Sequence, residues 1–477
     1  MWWLVFPGVL LLLVAVILIR TLSFKPKKQS KQISGSVIVN SEKSVSDLAE
    51  MIRCKTVSDR DPSCEDQSQF DRFEDILPKL FPGVFKKCSF EKVGKRGLLF
   101  CLKGKNSNSP SVFMAHYDVV GVNEHGWEKP PFDGIVENGV LWGRGTLDTK
   151  ATVNGILGAA EALIAEGFVP ENDIYFAFGG DEEINGNGAP GIVELFRSRG
   201  ITPSFVLDEG GAICYDVFPG VKKALALIGI AEKGMLNLEY SVNGDGGHSS
   251  SPKPLTPISR LARAVTSVEK SPFRFTLTKP ALEFFNIAGR HSTFLYRMIF
   301  ANLWFFGPVF SLIAVKSGGE TNAIVRTTTA FTQMEGSKGA NVIPAHAAMV
   351  SNHRIIPGET VESTVKRIRG LVKDNNVEIS VINGFDPSGV SRTDCEEYFK
   401  LHSVISEIWQ EATVTPYLMV ACSDARHWST VCDKVYRFSP IVMTKEDRDT
   451  IHGNNERIPL AAIGKIVEFY IRLMKRC

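Results

Sequence analysis

Short apolar runs alternate with helical patterns through most of the chain. The ranges 111–116, 173–178 and 205–207 are apolar runs bounded by polar residues, which is typical of buried strands. The ranges 150–166 and 191–198 have helical spacing, and the first ends before Gly167. A further helix is predicted around 45–52, with Ser44 or Ser46 as its cap. Strands alternating with helices predict an α/β sheet covered by helices on both faces.

The pattern changes near Lys233. Residues 236–242 alternate like a half-buried strand, and a helix is predicted to begin after Thr256–Pro257. The ranges 347–354 and 377–382 are predicted strands on either side of a helix over 361–373. The order strand–helix–strand–strand–helix–strand predicts a small α+β lid domain. From about residue 388 onward the chain returns to strand–helix units.

About 60 residues are inserted in the lid, near 271–332, and they are unusually rich in aromatic side chains. Arg290, His291 and Arg297 interrupt this stretch, and its clean apolar run over 298–315 contains a proline and a glycine. A second membrane span, an ordinary buried core and a specialised apolar surface are all compatible with this composition.

Residues 2–19 form an uninterrupted apolar run of 18 residues, long enough to span about 27 Å as a helix. No basic residue precedes the run and no small-residue cleavage site follows it, which favours a retained membrane anchor over a cleaved signal. Basic residues follow the run, which would hold the rest of the chain in the cytoplasm, and no Asn-x-Ser/Thr site supports a lumenal location. The protein is thus expected to be membrane-anchored or secreted through the secretory pathway, with its orientation open.

These patterns divide the chain into five segments. They are an anchor or signal segment over 1–23, a polar linker over 24–42, a first catalytic part over 43–232, the lid over 233–387 and a second catalytic part over 388–477. A length of 477 residues fits two or three domains, and a net charge of +2 gives no electrostatic reason to expect nucleic acid. The nine cysteines form no CxxC pair; buried free thiols are expected, with a Cys54–Cys64 bridge as the alternative in an oxidising lumen.

Five short islands carry metal-ligand side chains at predicted strand ends. The candidates are His116, Asp148, Glu183, Glu209 and His452, with Asp118 and Glu182 beside them. Two histidines with three or more carboxylates suit a pair of divalent ions, zinc first. Five positions exceed the needs of one zinc, so one carboxylate is expected to bridge two ions. The leading hypothesis is a hydrolase.

Three of the islands also have an ordinary structural interpretation. His116 could be a strand-end histidine satisfied by an acid, although Asp118, two residues on, could equally fix its tautomer beside a metal. Asp148 stands where a helix cap is expected. The acids at 181–183 could form a solvated turn, or one glutamate could bind metal while its neighbour takes a proton from water. At the fourth island, Glu209 is preferred as ligand over Asp208.

The five motifs HYDVV, WGRGTLDTK, GGDEE, LDEGG and IHGNNE resemble those of the zinc metallopeptidase family that includes aminoacylase, carboxypeptidase S and glutamate carboxypeptidase. The resemblance covers nearly everything after residue 44. The aromatic insertion, the N-terminal apolar segment and Ser423-Asp-Ala-Arg426 resemble the branch that holds carboxypeptidase S and N-fatty-acyl-amino acid synthase/hydrolase. The resemblance implies a two-domain zinc exopeptidase fold, with a central mixed sheet flanked by helices and an inserted α+β lid domain.

The resemblance also implies roles for individual residues. Two zinc ions per subunit are expected, one held by His116, Asp148 and Glu209 and the other by Asp148, Glu183 and His452, with the assignment of the two glutamates open. Glu182 matches the general base and Asp118 the acid that orients His116. In the lid, His248 matches a histidine that helps hold the substrate carbonyl. Asn341 and Arg354 match positions that bind the amino-acid carboxylate.

The expected partner is therefore a small N-acyl amino acid or peptide. Reversible hydrolysis and condensation of N-fatty-acyl amino acids is the first expectation, because the aromatic insertion could accommodate a long acyl chain. Release of C-terminal residues from small peptides is the alternative, and an inactive membrane-tethered binding protein on the same scaffold is the third. Smaller relatives dimerise through the lid and share its histidine across the interface, so a homodimer through the lid is also expected.

Overall fold

The computed structural model describes residues 2–26, 35–218 and 220–477, with side chains from residue 6 onward. Residues 27–34 of the predicted linker lie outside the described residues. The α-helices are α1 (Trp2–Ser23), α2 (Ser41–Ile52), α3 (Gln67–Leu80), α4 (Pro82–Lys87), α5 (Lys150–Ala165), α6 (Gly188–Ser198), α7 (Pro257–Glu269), α8 (Lys279–Arg290), α9 (Phe294–Ala301), α10 (Leu303–Ser317), α11 (Gly319–Ala323), α12 (Val361–Leu371), α13 (Glu396–Ile408), α14 (Ala425–Trp428), α15 (Lys445–Thr450) and α16 (Leu460–Met474).

The strands are β1 (Ser89–Val93), β2 (Gly97–Leu102), β3 (Asn106–His116), β4 (Ile135–Glu137), β5 (Val140–Trp142), β6 (Asn172–Gly179), β7 (Phe205–Asp208), β8 (Ile213–Cys214), β9 (Leu225–Glu232), β10 (Gly234–Asn243), β11 (Gly247–His248), β12 (Thr328–Glu335), β13 (Val342–Ile343), β14 (His346–Ile355), β15 (Glu378–Phe385), β16 (Thr413–Met419), β17 (Val435–Arg437), β18 (Val442–Met443) and β19 (Arg457–Pro459). Short 3₁₀ helices cover Pro62–Cys64 and Glu124–Gly126.

A ten-stranded mixed sheet organises the larger part of the molecule. Its order is β1-β2-β6-β3-β7-β17-β9-β8-β18, and β16 also pairs with β9. β3 runs parallel to both β6 and β7, so the carboxyl ends of three strands lie side by side. The predicted strands and helices of this part are all present, which confirms the α/β prediction. One detail is wrong, since α2 is capped by Asn40, whose Oδ1 accepts the N–H of Lys43 at 3.1 Å, and not by Ser44 or Ser46.

Helices cover both faces of this sheet, as the alternation of its strand residues shows. Phe100 and Phe113 pack into the cluster formed with α2, α5, α13 and α16. Their neighbours Leu99 and Val112 pack on the other face against α6 and α14. Strand side chains point alternately to the two faces, so near-continuous apolar strands are needed where both faces are covered.

A separate four-stranded antiparallel sheet has the order β12-β14-β10-β15. With α7 between β10 and β12, and α12 between β14 and β15, it has the predicted strand–helix–strand–strand–helix–strand order. The aromatic insertion folds as α8 to α11. Because β12 begins at Thr328, the predicted insertion boundary at residue 332 falls inside a strand of this sheet.

The insertion forms its own aromatic core. Phe285 stacks on Phe300 with ring centroids 5.4 Å apart, and both rings meet Phe310 edge to face. The cluster extends to Leu227 and Tyr417 of the large sheet. The ordinary-core interpretation is therefore correct for the inner side of the insertion, while its outer side exposes apolar residues such as Trp304.

The N-terminal helix α1 is long and apolar enough to cross a membrane by length and composition, with a mean hydropathy of 2.3 over Phe6–Ser23. Only 11% of that segment is buried against the rest of the protein.

All nine cysteines are free; Cys54 is buried and Cys64 exposed, so the alternative of a Cys54–Cys64 bridge is wrong.

Candidate metal centre

The candidate centre lies at the carboxyl ends of the three adjacent parallel strands. β3 ends at His116, which is in register with Gly179 at the end of β6. The acids at 181–183 follow β6 directly, and β7 ends at Asp208, the residue before Glu209. Open α/β sheets bind ligands beyond the carboxyl ends of their strands, so the topology alone brings three of the five islands together.

Asp148 joins these strand ends from the turn before α5. Its Oδ1 lies 2.9 Å from His116 Nε2, and its Oδ2 lies 3.1 Å from His452 Nε2. The cap position of α5 belongs to Thr149, which makes no side-chain cap bond, so the interpretation of Asp148 as a helix cap is wrong. The Asp148–Thr149 peptide bond is cis. Each oxygen of the Asp148 carboxylate faces a different histidine.

Glu183 completes the cluster. Its Oε2 lies 3.1 Å from His452 Nε2, and its Oε1 is buried without a hydrogen-bond partner among the described residues. Ligand atoms from His116, Asp148 and Glu183 all lie within 4.8 Å of one another. Imidazole nitrogens and carboxylate oxygens at this spacing suit zinc and other divalent transition metals, and a cation would satisfy the buried Glu183 oxygen.

Hydrogen bonds and burial shift the pKa values of this cluster. Burial acts to raise the pKa of Asp148, but the bonds from His116 and His452 outweigh it and lower the pKa. Hydrogen bonds to Asp148 and Glu183 raise the pKa of His452 to about 10. Burial acts to lower the pKa of His116, yet its contacts with Asp118 and Asp148 hold it well above the ordinary value. The carboxylates thus create a strong field for positive charge, whether a proton or a metal supplies it.

Asp118 connects the histidine to the acidic loop. His116 Nδ1 lies 3.4 Å from Asp118 Oδ1 and 3.1 Å from the Asp118 carbonyl oxygen, on the ring side opposite Asp148. The two carboxylate oxygens also accept the backbone N–H groups of Glu182 and Glu183, each at 3.1 Å. Ser58 donates its hydroxyl to the same carboxylate at 2.7 Å. Asp118 therefore fixes the ring and the loop that carries the two glutamates.

The three adjacent acids after β6 separate into different environments. Asp181 turns back to accept the N–H groups of Asn187 and Gly188 at the start of α6, at 2.8 and 3.0 Å. Glu182 and Glu183 line the same cavity as Asp148. Burial, together with the charges of Asp424, Glu183 and Glu209, raises the pKa of Glu182 well above its ordinary value. The alternative of a solvated acidic turn is wrong for Glu183, whose side chain is 7% exposed.

The two acids of the fourth island, Asp208 and Glu209, also lie in different environments. Glu209 lines the cavity, and burial with the nearby charges of Asp148 and Asp208 raises its pKa well above the usual value. Asp208 instead accepts the N–H of Glu209 at 2.9 Å and that of Ala425 at 2.8 Å. The structure therefore directs Glu209, rather than Asp208, toward the other acids, although Glu209 lies outside the tight group of His116, Asp148 and Glu183.

The sequence reasoning did not identify the role of Glu456, in the same motif as His452. Glu456 is fully buried; its carboxylate pairs with Arg144 at 2.6 Å and accepts the N–H groups of Gly145 and Leu147 at 3.0 and 2.7 Å. It also accepts the N–H of Asp148 at 3.2 Å. Nothing in the local sequence around Glu456 indicates these contacts, because Asp148 lies 308 residues earlier in the chain.

A cavity of about 420 Å³ contains this cluster. Asp148, Glu182, Glu183, Glu209 and His452 lie along its polar side. Its apolar side is formed by Leu227, Met419, Tyr417 and Met443, among others. Ligand pockets commonly combine an apolar lining with a few converging polar groups, so this cavity is the best candidate for the active site.

Arg354 lies one contact away from the cavity. Its Nη1 lies 3.3 Å from the sulfur of Cys422, which lines the cavity, and its Nε donates to Asn352 Oδ1 at 3.2 Å. The lid strand β14 that carries Arg354 thus reaches the site through Cys422.

His248 and Asn341 lie elsewhere on the lid. The two-stranded pair of β11 and β13 holds them together, with the N–H of Ser249 donating to the Asn341 carbonyl at 3.0 Å. His248 is exposed and its Nδ1 lies 2.8 Å from Ser250 Oγ. Neither residue lines this cavity, so within one subunit the structure does not bring them to the other predicted site residues.

Comparison with known proteins identifies the family and the fold of the chain. Residues 112–476 match the model of peptidase family M20/M25/M40. N-fatty-acyl-amino acid synthase/hydrolase PM20D1 of Xenopus tropicalis is 38% identical, over 98% of this chain and 93% of that protein. Probable carboxypeptidase S-like 2 of Dictyostelium discoideum is 35% identical, over 98% of this chain and 92% of that protein. The M20 family metallo-carboxypeptidase Sso-CP2 from Sulfolobus solfataricus has the same fold, with a TM-score of 0.68 at 16% identity over 91% of this chain and 98% of that one.

Proposed function

The chain belongs to peptidase family M20/M25/M40, a family of metal-dependent hydrolases of amide bonds, and from this premise we propose that it is a dizinc enzyme that reversibly hydrolyses and condenses N-fatty-acyl amino acids. The observation that carries the metal assignment is the carboxylate of Asp148, with one oxygen 2.9 Å from His116 and the other 3.1 Å from His452. This is the arrangement required of a ligand shared by two ions.

The remaining ligands follow from their positions. Glu183 joins Asp148 and His452 at one ion, because its Oε2 lies 3.1 Å from the His452 nitrogen. We assign Glu209 to the other ion with Asp148 and His116, because the charges of both residues act on its carboxyl group. When bound, two zinc ions would supply Lewis acidity and would acidify water in the site.

Glu182 is the proposed general base. Its raised pKa and its place on the cavity wall suit a carboxylate that takes a proton from the attacking water and returns it to the leaving nitrogen. The carboxylate of Asp118 accepts the backbone N–H of Glu182. The base is therefore positioned by the same residue that orients His116. Retention of a base beside the whole ligand set favours an enzyme over an inactive binding protein.

The substrate assignment rests on the two sides of the cavity. Arg354, at the cavity edge through Cys422, would bind the free carboxylate of the amino acid, since a guanidinium suits a bidentate carboxylate contact. Leu227 and Tyr417 on the apolar wall belong to the aromatic core of the insertion, which would accommodate the acyl chain. The 38% identical relative is named for the same chemistry.

Release of C-terminal residues from small peptides is the second candidate, favoured by the likeness to a probable carboxypeptidase S-like protein and by the same carboxylate contact at Arg354. Rates of the purified full chain on N-oleoyl-phenylalanine and on a blocked dipeptide separate the two. We expect faster hydrolysis of the oleoyl substrate, together with its synthesis from oleate and phenylalanine. A clear preference for the dipeptide would establish the second candidate instead.

Two further assignments complete the proposal. Exposed His248 would serve the active site of a second subunit in a homodimer formed through the lid, because it lies away from its own cavity. Helix α1 would be retained as a membrane anchor rather than removed as a signal. Its end is built into the protein: Ile17 and Thr21 are buried, and Asn302 donates to both at 3.2 Å.

A further inference from the structure

Helix α10 of the aromatic insertion is apolar on its outer face as well as its inner face. Gly307, Phe310 and Ala314 are buried against the insertion core. The opposite side exposes a continuous apolar stripe formed by Trp304 (57% exposed), Phe305 (42%), Val309 (56%), Leu312 (57%) and Ile313 (49%). A surface helix of a globular protein ordinarily carries polar residues on its outward face. An exposed apolar stripe of this kind is typical of a surface that contacts a membrane or another molecule.

The shape of the segment excludes a straight membrane crossing. α10 has 15 residues and is therefore about 22 Å long, shorter than the ~30 Å hydrocarbon core of a bilayer. α9 and α10 together are long enough, but the helix direction bends by 114° between them. An apolar helix of this length that is bent away from its neighbour fits the surface of a bilayer rather than its full thickness.

The corner between α9 and α10 is fastened to the base of α1. The side chain of Asn302, the residue at the corner, donates to Ile17 O and to Thr21 Oγ1, both at 3.2 Å. Arg20 Nε donates to the carbonyl of Ala301 at 3.2 Å. The stripe on α10 is therefore fixed close to the point where α1 leaves the body of the protein.

α1 beyond that point exposes apolar side chains around its circumference, including Phe6 (77%), Leu11 (71%) and Leu12 (66%). A second protein chain would cover one side of such a helix, whereas lipid covers all sides. Resting on the proposed anchoring of α1, we infer that α10 docks on the same bilayer, with its stripe of Trp304, Phe305, Val309, Leu312 and Ile313 in the apolar boundary and the exposed cations Arg20, Lys25 and Lys316 at the headgroups.

Docking in this way places a particular side of the enzyme against the lipid. The insertion core runs from α10 through Phe310 and Phe285 to Phe284, whose ring lies 5.9 Å from that of Tyr417 on the cavity wall. The apolar wall of the candidate cavity is thus connected to the docking face through this aromatic core. If the proposed function holds, a fatty-acyl substrate dissolved in the bilayer would have a shorter route to the zinc site than one arriving from water.

Tryptophan quenching in lipid tests the docking without any reference to catalysis. The intact chain is reconstituted in vesicles of phosphatidylcholine and phosphatidylglycerol, with either ordinary or dibrominated acyl chains. The emission lost in Trp304→Phe isolates Trp304 from the other tryptophans, and we expect the brominated lipid to quench that component by more than half. Trp127→Phe, in the large domain, is the matched control, and its component should be quenched little.

A tryptophan introduced elsewhere on the same face of α10 tests whether the quenching is a property of the whole face and not of position 304 alone. In the Trp304→Phe background, Leu312→Trp should restore a quenchable signal, while Ile258→Trp, an exposed apolar position on lid helix α7, should not. Equal emission of Trp304 and of the Leu312→Trp residue in ordinary and brominated vesicles would overturn the inference. The same result accompanied by cross-linking between α10 helices would assign the stripe to a second copy of the chain.

Discussion

Glu456 holds Asp148 by its backbone: the Glu456 Oε1 accepts the N–H of Asp148 at 3.2 Å. The same carboxylate pairs with Arg144 and accepts two further amides of the turn that carries Asp148. The proposed bridging ligand is therefore aimed by a buried acid from the far end of the chain. One carboxylate thus contributes both to the candidate metal centre and to the contact between these distant parts of the chain.

Replacement of Glu456 by glutamine should lower both the stability of the fold and the affinity for metal. The amide would leave the Arg144 charge uncompensated in the interior and would turn a donor toward backbone N–H groups, at a cost of about 3–5 kcal/mol. We expect a lower melting temperature and less than the wild-type zinc content after dialysis. Glu446→Gln, an exposed position on α15, is the control. Wild-type stability and zinc content in Glu456→Gln would show that the turn holds Asp148 without it.

Much of this arrangement could be predicted from the sequence, because strand ends are local features. His116, Glu183 and Asp208 each follow an apolar run, and parallel strands place such ends along one edge. The contacts of Glu456 could not be predicted, since they join residues far apart in the chain with no periodic signal. Likewise the composition of α10 did not distinguish a core from a surface; only the structure shows that its apolar residues occupy both faces.

Glu182→Gln should retain the metals and lose most turnover. The amide cannot take a proton from water, and loss of a general base lowers rates by about 10²–10⁴-fold. Glu183→Gln, one residue along, should instead reduce metal content, because Glu183 contacts His452 while Glu182 does not. Zinc analysis and steady-state rates on N-oleoyl-phenylalanine distinguish the two variants. An undiminished rate in Glu182→Gln would refute its role as base.

Metal loading should release protons at neutral pH. Without metal, the pKa of His452 is about 10 and that of His116 is well above its ordinary value, so both rings are protonated at pH 7. Zinc binds the neutral ring, so loading should release about one proton from each histidine. Any proton that Glu183 or Glu209 loses adds to this number, since their pKa values are also raised. Calorimetric titration of chelated, metal-free protein in buffers of different ionisation enthalpy measures the number.

The sign of the pH dependence follows from the same shifts. The protonated histidine–carboxylate contacts stabilise the metal-free fold fully below the unfolded histidine pKa of about 6.5, and this contribution is lost as pH rises through about 10. Zinc affinity should change in the opposite direction and increase with pH over that interval. His452→Asn should reduce the proton release by about one. An affinity that does not change between pH 6 and 8 would contradict the protonation of both rings.

Mixing two inactive variants tests the role of His248 in a dimer. His248→Ala and Glu182→Gln each disable a different part of the site. In a co-expressed heterodimer, the Glu182→Gln subunit still offers its histidine to the intact Glu182 of its partner. Random pairing should then restore about a quarter of wild-type activity per site. Activity no higher than that of the separate variants would place His248 outside any shared site.

Arg354 should determine the requirement for a free carboxylate. In the structure its Nη1 contacts the sulfur of Cys422, a weak acceptor that a substrate carboxylate would replace with a charge-assisted contact. Loss of such a contact is worth about 1.5–3 kcal/mol, so Arg354→Gln should raise KM for N-oleoyl-phenylalanine by about 10–100-fold. Arg369→Gln, at an exposed position on α12, should leave KM unchanged.

The matched substrate sharpens this test. N-oleoyl-phenylalanine amide has the same acyl chain and scissile bond but no carboxylate, so wild type should hydrolyse it poorly and Arg354→Gln should hydrolyse it no worse than wild type does. The expected result is a loss of discrimination between acid and amide with little change in kcat. If Arg354→Gln impaired both substrates equally, the arginine would act in the packing of β14 against Cys422, and the carboxylate would be bound elsewhere.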